Sequence, residues 1–262
     1  MGRVRVGVGG WSYAPWRQSF YPKGLAQKDE LAYAAGRLTA IEINATFYRS
    51  QKPQTFAAWR DGVPEDFAFA LKAPRYATNR KLLAEAGESV RRFTEGGIAE
   101  LGDKLGPILW QLAPTKRFDP EDVAAFLALL PKEAKGRRLR HALEVRHESF
   151  RVPEMLELAR RHGVAIVWAA DSRYPEIADP TADFAYVRLM GTREGEPLGY
   201  DAAALDRRAE QLAALSRGAP PPGVELLSDR HEQKARDVFC FVISGHKASN
   251  PAAAMALIDR LG

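Results

Sequence analysis

The chain has 262 residues, 46% of them hydrophobic, and it carries a net charge of +5 with a sequence pI near 9.3. This composition suffices for a sizeable core, and no run reaches the roughly 20 apolar residues that span a bilayer. The single cysteine excludes a disulfide framework, and the modest positive charge is not the concentrated basic tail of a dedicated nucleic-acid binder. The opening "MGRVRVGVGG" has no secretory-signal pattern, so we expect a cytoplasmic protein with no membrane contact.

Eight short apolar runs predict eight strands, separated mostly by stretches with helical spacing. The predicted strands are residues 4–10, 40–46, 67–73, 107–113, 141–147, 165–171, 184–190 and 238–244. Residues 172–183 lack a helical pattern, which predicts one irregular crossover. The stretch 217–223, "RGAPPPG", is interpreted as a loop before a short extra helix.

Four helices have clear boundary signals. Asp119 and Asp201 are predicted N-caps, and Gly163 follows the last residue of a helix. The final helix is predicted to begin with Asn250 as its N-cap and Pro251 in its first turn. These signals place helices between the strands.

Strands that alternate with helical crossovers indicate a parallel sheet. Eight such units favour one α/β domain over residues 1–262, a TIM-like (β/α)8 barrel with one irregular crossover. An open doubly wound sheet is the alternative, but "GVGGWSY" matches its G-x-G-x-x-G fingerprint poorly.

Polar side chains share one face of several predicted strands. Side chains alternate across a strand, so Glu42 and Asn44 lie opposite Ile41 and Ile43. The helix-covered face of a barrel strand should be apolar, so the polar face is predicted to line the C-terminal mouth of the barrel. Its further members are Lys72, Gln111, Glu144, Arg146, Asp171 and Arg188. A structural salt-bridge cluster that only fills the barrel is the alternative interpretation.

Aromatic and imidazole side chains are predicted near the same mouth. Trp11, Tyr13 and Tyr48 follow predicted strands, and such rings suit stacking on a sugar or a nucleobase. His147 and His246 also follow strands, where either is a candidate base or ligand-binding group. The sequence has no H-E-x-x-H pattern and requires neither a metal nor a cofactor. Surface or capping roles are expected for His141, His162 and His231.

Six long and unusual motifs carry a family resemblance. They are "VGVGGWSYAPWRQSFYP", "IEINATFYR", "FALKAPR", "LGPILWQL", "LEVRHESF" and "YVRLMG". In order and spacing they resemble the YecE-like family, also known as domain of unknown function 72, over essentially the whole chain. The resemblance implies a TIM-like barrel but no reaction. It also implies pocket roles for Glu42, Asn44, Tyr48, Lys72, Gln111, Glu144, Arg146 and Arg188.

Two positions depart from the family pattern. The family usually has a histidine after the seventh strand, where this chain has Met190, and members often have paired asparagines where this chain has "SGHKASN". Roles that depend on those family residues are therefore not carried over.

The sequence favours an enzyme that acts on a small polar or anionic ligand containing a phosphate, a carboxylate or a sugar. Lysine and arginine side chains would clamp the anion, and two glutamates would act as acid and base. The candidate catalytic residues are Glu42, Lys72, Glu144 and Arg146. The candidate ligand-binding residues are Trp11, Tyr13, Asn44, Tyr48, Gln111, His147, Asp171, Arg188, Gly191, Gly245 and His246.

We also expect a bound anion between the loops at Gly191 and Gly245, because barrels often bind phosphate after their last two strands. Two alternatives use the same mouth. One is nucleic-acid recognition or repair, in which the rings stack on an extruded base. The other is a ligand sensor that performs no catalysis.

Overall fold

Eight parallel strands close into a barrel in the computed structural model of the chain, which describes residues 1–230 and 232–262. The strands are β1 Val4–Gly9, β2 Ala40–Ile43, β3 Ala68–Lys72, β4 Leu105–Gln111, β5 Glu133–Ala134, β6 Arg137–Arg138, β7 His141–Glu144, β8 Ala165–Ala170, β9 Phe184–Leu189 and β10 Asp237–Val242. Around the barrel the order is β1, β2, β3, β4, β7, β8, β9 and β10, and β10 pairs with β1. Strands β5 and β6 form a separate antiparallel hairpin. The predicted barrel and its eight strands are confirmed.

Helices lie between most of the barrel strands. They are α1 Glu30–Ala35, α2 Ala45–Tyr48, α3 Pro53–Asp61, α4 Arg75–Thr78, α5 Gly87–Thr94, α6 Pro120–Ala128, α7 Pro153–His162, α8 Ala202–Arg217 and α9 Asn250–Leu261. Asp119 and Asp201 cap α6 and α8 through their carboxylates, as predicted. Gly163 ends α7 in the left-handed region with φ 66°, a conformation that glycine adopts without strain. No helix of the described residues is long and apolar enough to cross a membrane.

Two predictions about helix boundaries are wrong. Ser249, and not Asn250, is the N-cap of α9, because Asn250 already lies in the helix. The Asn250 side chain is buried and accepts a hydrogen bond from Thr192 Oγ1 at 2.8 Å, so it is unavailable as a cap. The described residues between α8 and β10 contain no short extra helix.

The crossover from β8 to β9 has no helix, as the sequence predicted. It is held instead by the buried carboxylate of Asp179, which accepts hydrogen bonds from the backbone N–H groups of Leu227 and Ser228, each at 3.0 Å. Two irregular segments thus support each other on one side of the barrel.

The barrel strands separate an outer apolar layer from the barrel interior. The outer layer packs the helices against side chains such as Ile41, Ile43 and Val187, all buried. The interior is filled by alanines and by larger residues such as Leu109, Phe239 and Phe241. The buried Cys240 belongs to the outer layer, and burial raises the pKa of its thiol to about 12. The alternation therefore turns the polar face of the strands inward.

His141 is a buried core residue, which corrects the expected surface or capping role. Its Nδ1 accepts a hydrogen bond from Trp110 Nε1 at 3.0 Å, and its Nε2 lies 2.7 Å from the carbonyl oxygen of Pro131. These partners require a neutral ring with the proton on Nε2. Burial lowers the pKa of His141 to about 4. His162 lies half-buried in the last turn of α7, and His231 lies outside the described residues.

We predict that His141 makes the protein acid-sensitive. The unfolded chain binds a proton near the ordinary pKa of 6.5, whereas the folded chain does so near 4, so stability is lost as the pH falls through this window. Between about pH 7 and about pH 5 the wild type should lose about 2 kcal/mol more unfolding free energy than His141→Gln. Urea denaturation at both pH values measures this difference. Equal losses in the two proteins would contradict the buried neutral ring.

Candidate functional site

Arg188 lies inside the barrel between two glutamates. Its Nη2 and Nε donate hydrogen bonds to Glu42 Oε1 at 2.9 Å and Oε2 at 3.1 Å, and its Nη1 donates to Glu144 Oε2 at 2.5 Å. Both carboxylates are 0% exposed. Burial alone would lower the pKa of Arg188, but Glu144 and Glu42 outweigh it and raise that pKa. The guanidinium is therefore a permanent cation that joins the two acids.

Glu42 has a second partner that the sequence analysis did not identify. The hydroxyl of Tyr186 donates to Glu42 Oε2 at 2.7 Å, and Tyr186 is buried two residues before Arg188 on the same face of β9. Burial, together with the charge of Glu42, raises the pKa of Tyr186 well above its ordinary value. The sequence places Tyr186 on the same strand face as Arg188, but it does not indicate that Glu42, across the barrel, is its partner.

Glu144 is surrounded by donors. Gln111 Nε2 lies 3.1 and 3.0 Å from its two oxygens, and Arg146 Nε donates to Oε1 at 2.6 Å. Burial favours a raised pKa, but the charges of Arg188 and Arg146 and these hydrogen bonds lower the pKa of Glu144. Glu144 is consequently an ionised carboxylate whose oxygens are fully engaged.

Lys72 ends β3 beside this cluster but is not paired within it. Its Nζ lies 4.0 Å from the centre of the Phe47 ring, and the residue is 8% exposed. Among residues 1–230 and 232–262 it forms no salt bridge, and its ammonium donates no side-chain hydrogen bond. Burial, with the nearby charge of Arg188, lowers the pKa of Lys72 to about 8.

Arg146 connects the cluster to the rim of the mouth. Its Nη1 donates to the hydroxyl of Tyr174 at 3.2 Å, and its guanidinium carbon lies 4.2 Å from the centre of the Tyr174 ring. Nη2 makes no hydrogen bond with any residue that the structure describes. Tyr174 lies in the irregular crossover after β8, where no sequence pattern indicates a contact with the cluster.

The predicted aromatic residues take different positions. Tyr48 is 68% exposed at the end of α2 and packs edge-on against Phe47, beside Lys72. Tyr13 lies under the ammonium of Lys247, at 4.3 Å, and Trp11 packs edge-on against Trp59. Only Tyr48 is thus connected to Lys72 through Phe47.

Asn44 lies beyond β2, which ends one residue earlier, at Ile43. Its side-chain amide donates to the carbonyl oxygen of Glu42 at 3.4 Å. The chain then turns into α2, where Thr46 donates to the carbonyl oxygen of Lys72 at 2.7 Å. The strand alternation therefore does not continue through Asn44 and Thr46, and Thr46 instead ties α2 to β3.

The remaining predicted site residues make local contacts in the loops of the mouth. Asp171 pairs with Arg208 at 2.5 Å. His147 and His246 each lie 2.9 Å from a nearby serine hydroxyl, Ser149 and Ser249 respectively.

The two predicted glycines lie where a side chain would collide with a neighbour. A Cβ on Gly191 would approach Asp171 Cβ to 2.5 Å. A Cβ on Gly245 would come equally close, at 2.5 Å, to the carbonyl oxygen of Thr192. A side chain at either position would therefore collide with a neighbouring loop, which accounts for glycine at both.

Within the part of the chain that the structure describes, no group of three or more His, Cys, Asp or Glu residues is arranged to hold a metal ion.

We predict that Arg188→Met lowers the unfolding free energy by about 3–5 kcal/mol, because it strands two buried carboxylates. Chemical denaturation measures the loss. The matched control is Arg193→Met, which breaks an exposed pair with Asp201 and should change stability far less. If Arg188→Met is as stable as the control, the ion cluster does not hold the barrel together.

Known proteins share this fold and sequence pattern. The family model described as "Protein of unknown function DUF72" matches residues 5–262. UPF0759 protein YecE of Escherichia coli strain K12 is 27% identical over 150 residues, and so is that of strain O157:H7. Each alignment covers 56% of this chain and 50% of the relative, so the match spans about half the length of these relatives.

Two solved structures have a fold similar to that of this chain over nearly its whole length. A DUF72 family protein from Thermotoga maritima MSB8 has a TM-score of 0.72 and 23% identity, with 98% of this chain and 97% of that chain covered. A DUF72 family protein from Enterococcus faecalis V583 has a TM-score of 0.70 and 19% identity, with 98% and 94% covered. These likenesses support the barrel, and the match of the family model shows that the chain belongs to the DUF72 family.

Proposed function

We propose that this protein is an enzyme that binds a small anionic ligand at the C-terminal mouth of its barrel and that Lys72 is the group that meets the ligand. The observation that carries this proposal is the unpaired ammonium of Lys72. Arg188 and Arg146 are both paired with glutamates, whereas Lys72 forms no salt bridge with any described residue. An ammonium that is largely removed from water and has no anionic partner is costly, and an incoming anion would compensate it.

The summed charge of the ion cluster and the adjacent Lys72 also favours an anionic ligand. Lys72, Arg146 and Arg188 contribute three cations, whereas Glu42 and Glu144 contribute two carboxylates. Together these five groups have a net positive charge whenever Lys72 is protonated. The barrel walls exclude water from the glutamates, which strengthens the attraction of these groups for an anion.

In this proposal Glu42 and Glu144 are positioning residues. Their oxygens already accept hydrogen bonds from Tyr186, Gln111, Arg146 and Arg188. The arginines lower the pKa of Glu144, which disfavours a role for it as general acid. The two glutamates orient the arginines, and they leave Lys72 as the titratable group that can reach a ligand.

We predict that sulfate and glycolate raise the melting temperature of the wild type and not that of Lys72→Met. Lys72→Arg should keep part of the effect, because it keeps the charge. The anion binds the protonated amine, so the stabilisation should weaken as the pH rises through about 8. Thermal melting across this pH range measures both effects, and sulfate itself does not titrate there.

The matched control is Lys247→Met, which removes the other lysine that lies over aromatic rings at the mouth. This variant should keep the stabilisation by sulfate. If Lys247→Met loses it and Lys72→Met keeps it, the anion binds at the corner of Gly191 and Gly245 instead. If no anion stabilises the wild type, the proposal fails.

Nucleic-acid recognition is a second candidate, because tyrosines are exposed after two adjacent barrel strands. Tyr48 follows β2 and is 68% exposed, and Tyr76 follows β3 and is 39% exposed. Arg49 and Arg75, next to these tyrosines, are exposed as well. Exposed rings with flanking cations suit stacking on unpaired bases.

For this candidate we predict that a single-stranded oligonucleotide binds with an affinity that falls steeply with salt. The affinity should also fall in Tyr48→Ala, by a factor of about ten, because the base loses its stacking partner. Fluorescence anisotropy at several salt concentrations measures both effects. Absent binding at low salt would eliminate the candidate.

A further inference from the structure

Contacts restrain both the backbone and the side-chain amine of Lys72. The carbonyl oxygen of Lys72 accepts a hydrogen bond from Thr46 Oγ1 at 2.7 Å, and all of β3 is buried. The Nζ lies 4.0 Å from the centre of the Phe47 ring. The hydrogen bond from Thr46 therefore joins α2 to the end of β3, and the ring of Phe47 positions the amine. A surface lysine lacks this restraint.

The nitrogen of Lys72 is available for chemistry once it loses its proton. No carboxylate of the described chain forms a salt bridge with it, and burial and the charge of Arg188 outweigh the attraction of Glu42 and Glu144 for the proton. Burial and the charge of Arg188 lower the pKa of Lys72 to about 8. Near pH 7.5 about a quarter of the amines would be neutral, against about one in a thousand for an ordinary lysine.

A lysine that is desolvated and lies near another cation is a known type of nucleophile for carbonyl carbons. We propose that Lys72 forms an imine with a small aldehyde or ketone that also carries a carboxylate or phosphate group. This inference rests on the proposed function, because it uses the same anion-binding mouth. It adds the functional group on which the enzyme would act.

Arg146 is the group that would hold the anionic end of such a ligand. Its Nε is bound to Glu144 and its Nη1 to Tyr174, which fix the plane of the guanidinium. Nη2 has no hydrogen-bond partner in the described chain and is left for a carboxylate or phosphate oxygen. Lys72 ends β3 and Arg146 follows β7, and both strands pair with β4, so the two groups lie at the same end of the barrel.

The proposed step balances without an oxidant or a reductant. The neutral amine attacks the carbonyl carbon, so that an N–C bond forms and the π electrons move to the oxygen. The oxygen takes up a proton from the nitrogen, and a second proton, equivalent to the one that the ammonium released, lets it leave as water. The products are a protonated imine and water. The imine keeps the positive charge over the Phe47 ring, where a cation is stabilised.

The test is reductive trapping with pyruvate and cyanoborohydride near pH 7.5, followed by peptide mass spectrometry. The peptide that contains Lys72 should gain a carboxyethyl group about ten times faster than the peptides that contain Lys247 or the exposed Lys28. Lactate, which has no carbonyl group, should slow the labelling of Lys72 by competing for the anion site. Equal labelling rates at all three lysines would overturn the imine.

Lys72→Arg separates the imine from anion binding. It keeps a cation at this position but has no amine that forms an imine, so it should retain part of the stabilisation by glycolate and lose pyruvate labelling at this position. If the wild type binds glycolate through Lys72 but labels it no faster than Lys28, the imine is overturned and the proposed function stands. If neither anion binding nor preferential labelling occurs, both proposals fail.

Discussion

Arg188 donates hydrogen bonds to Glu42 and Glu144 in the interior of the barrel, where neither carboxylate contacts solvent. These three charges lie on β9, β2 and β7, and no two of these strands are neighbours. The ion cluster therefore connects separate parts of the barrel wall. A register shift of one residue would turn a charge into the apolar outer layer, so this cluster constrains the pairing of all three strands. The unpaired state of Lys72 follows from it, because Arg188 already occupies both glutamates.

The sequence predicted much of this arrangement because the strand period is two. Ile41 and Ile43 bracket Glu42, Leu143 and Val145 bracket Glu144, and Val187 and Leu189 bracket Arg188. In each triplet the apolar pair packs against helices and the charge points inward. Alternation combined with the count of eight strands was therefore sufficient for the barrel and for the inward face of its charged residues.

Alternation does not identify the partners of an inward side chain or the residue at which a strand ends. Tyr186 has the parity of Arg188, but its bond to Glu42 depends on how the barrel closes. β2 ends at Ile43, so the predicted strand 40–46 was too long and wrongly assigned Asn44 and Thr46 to a strand face. His141 resembled a surface histidine because nothing local indicates that Trp110 and Pro131 enclose it. Such contacts arise from tertiary packing, which a local pattern does not contain.

Closure of the barrel joins the two most distant strands of the chain. β1 and β10 pair over the register from Val4 with Val238 to Val8 with Val242. Pairing strands so far apart in the sequence requires closure of a long loop, which costs conformational entropy. Folds that depend on such contacts typically fold slowly. Until β10 docks, β1 and β9 present unpaired backbone edges that invite strand exchange with other molecules. The vulnerable species for aggregation is therefore the open sheet that lacks its last strand, and the rate at which β10 docks limits its lifetime.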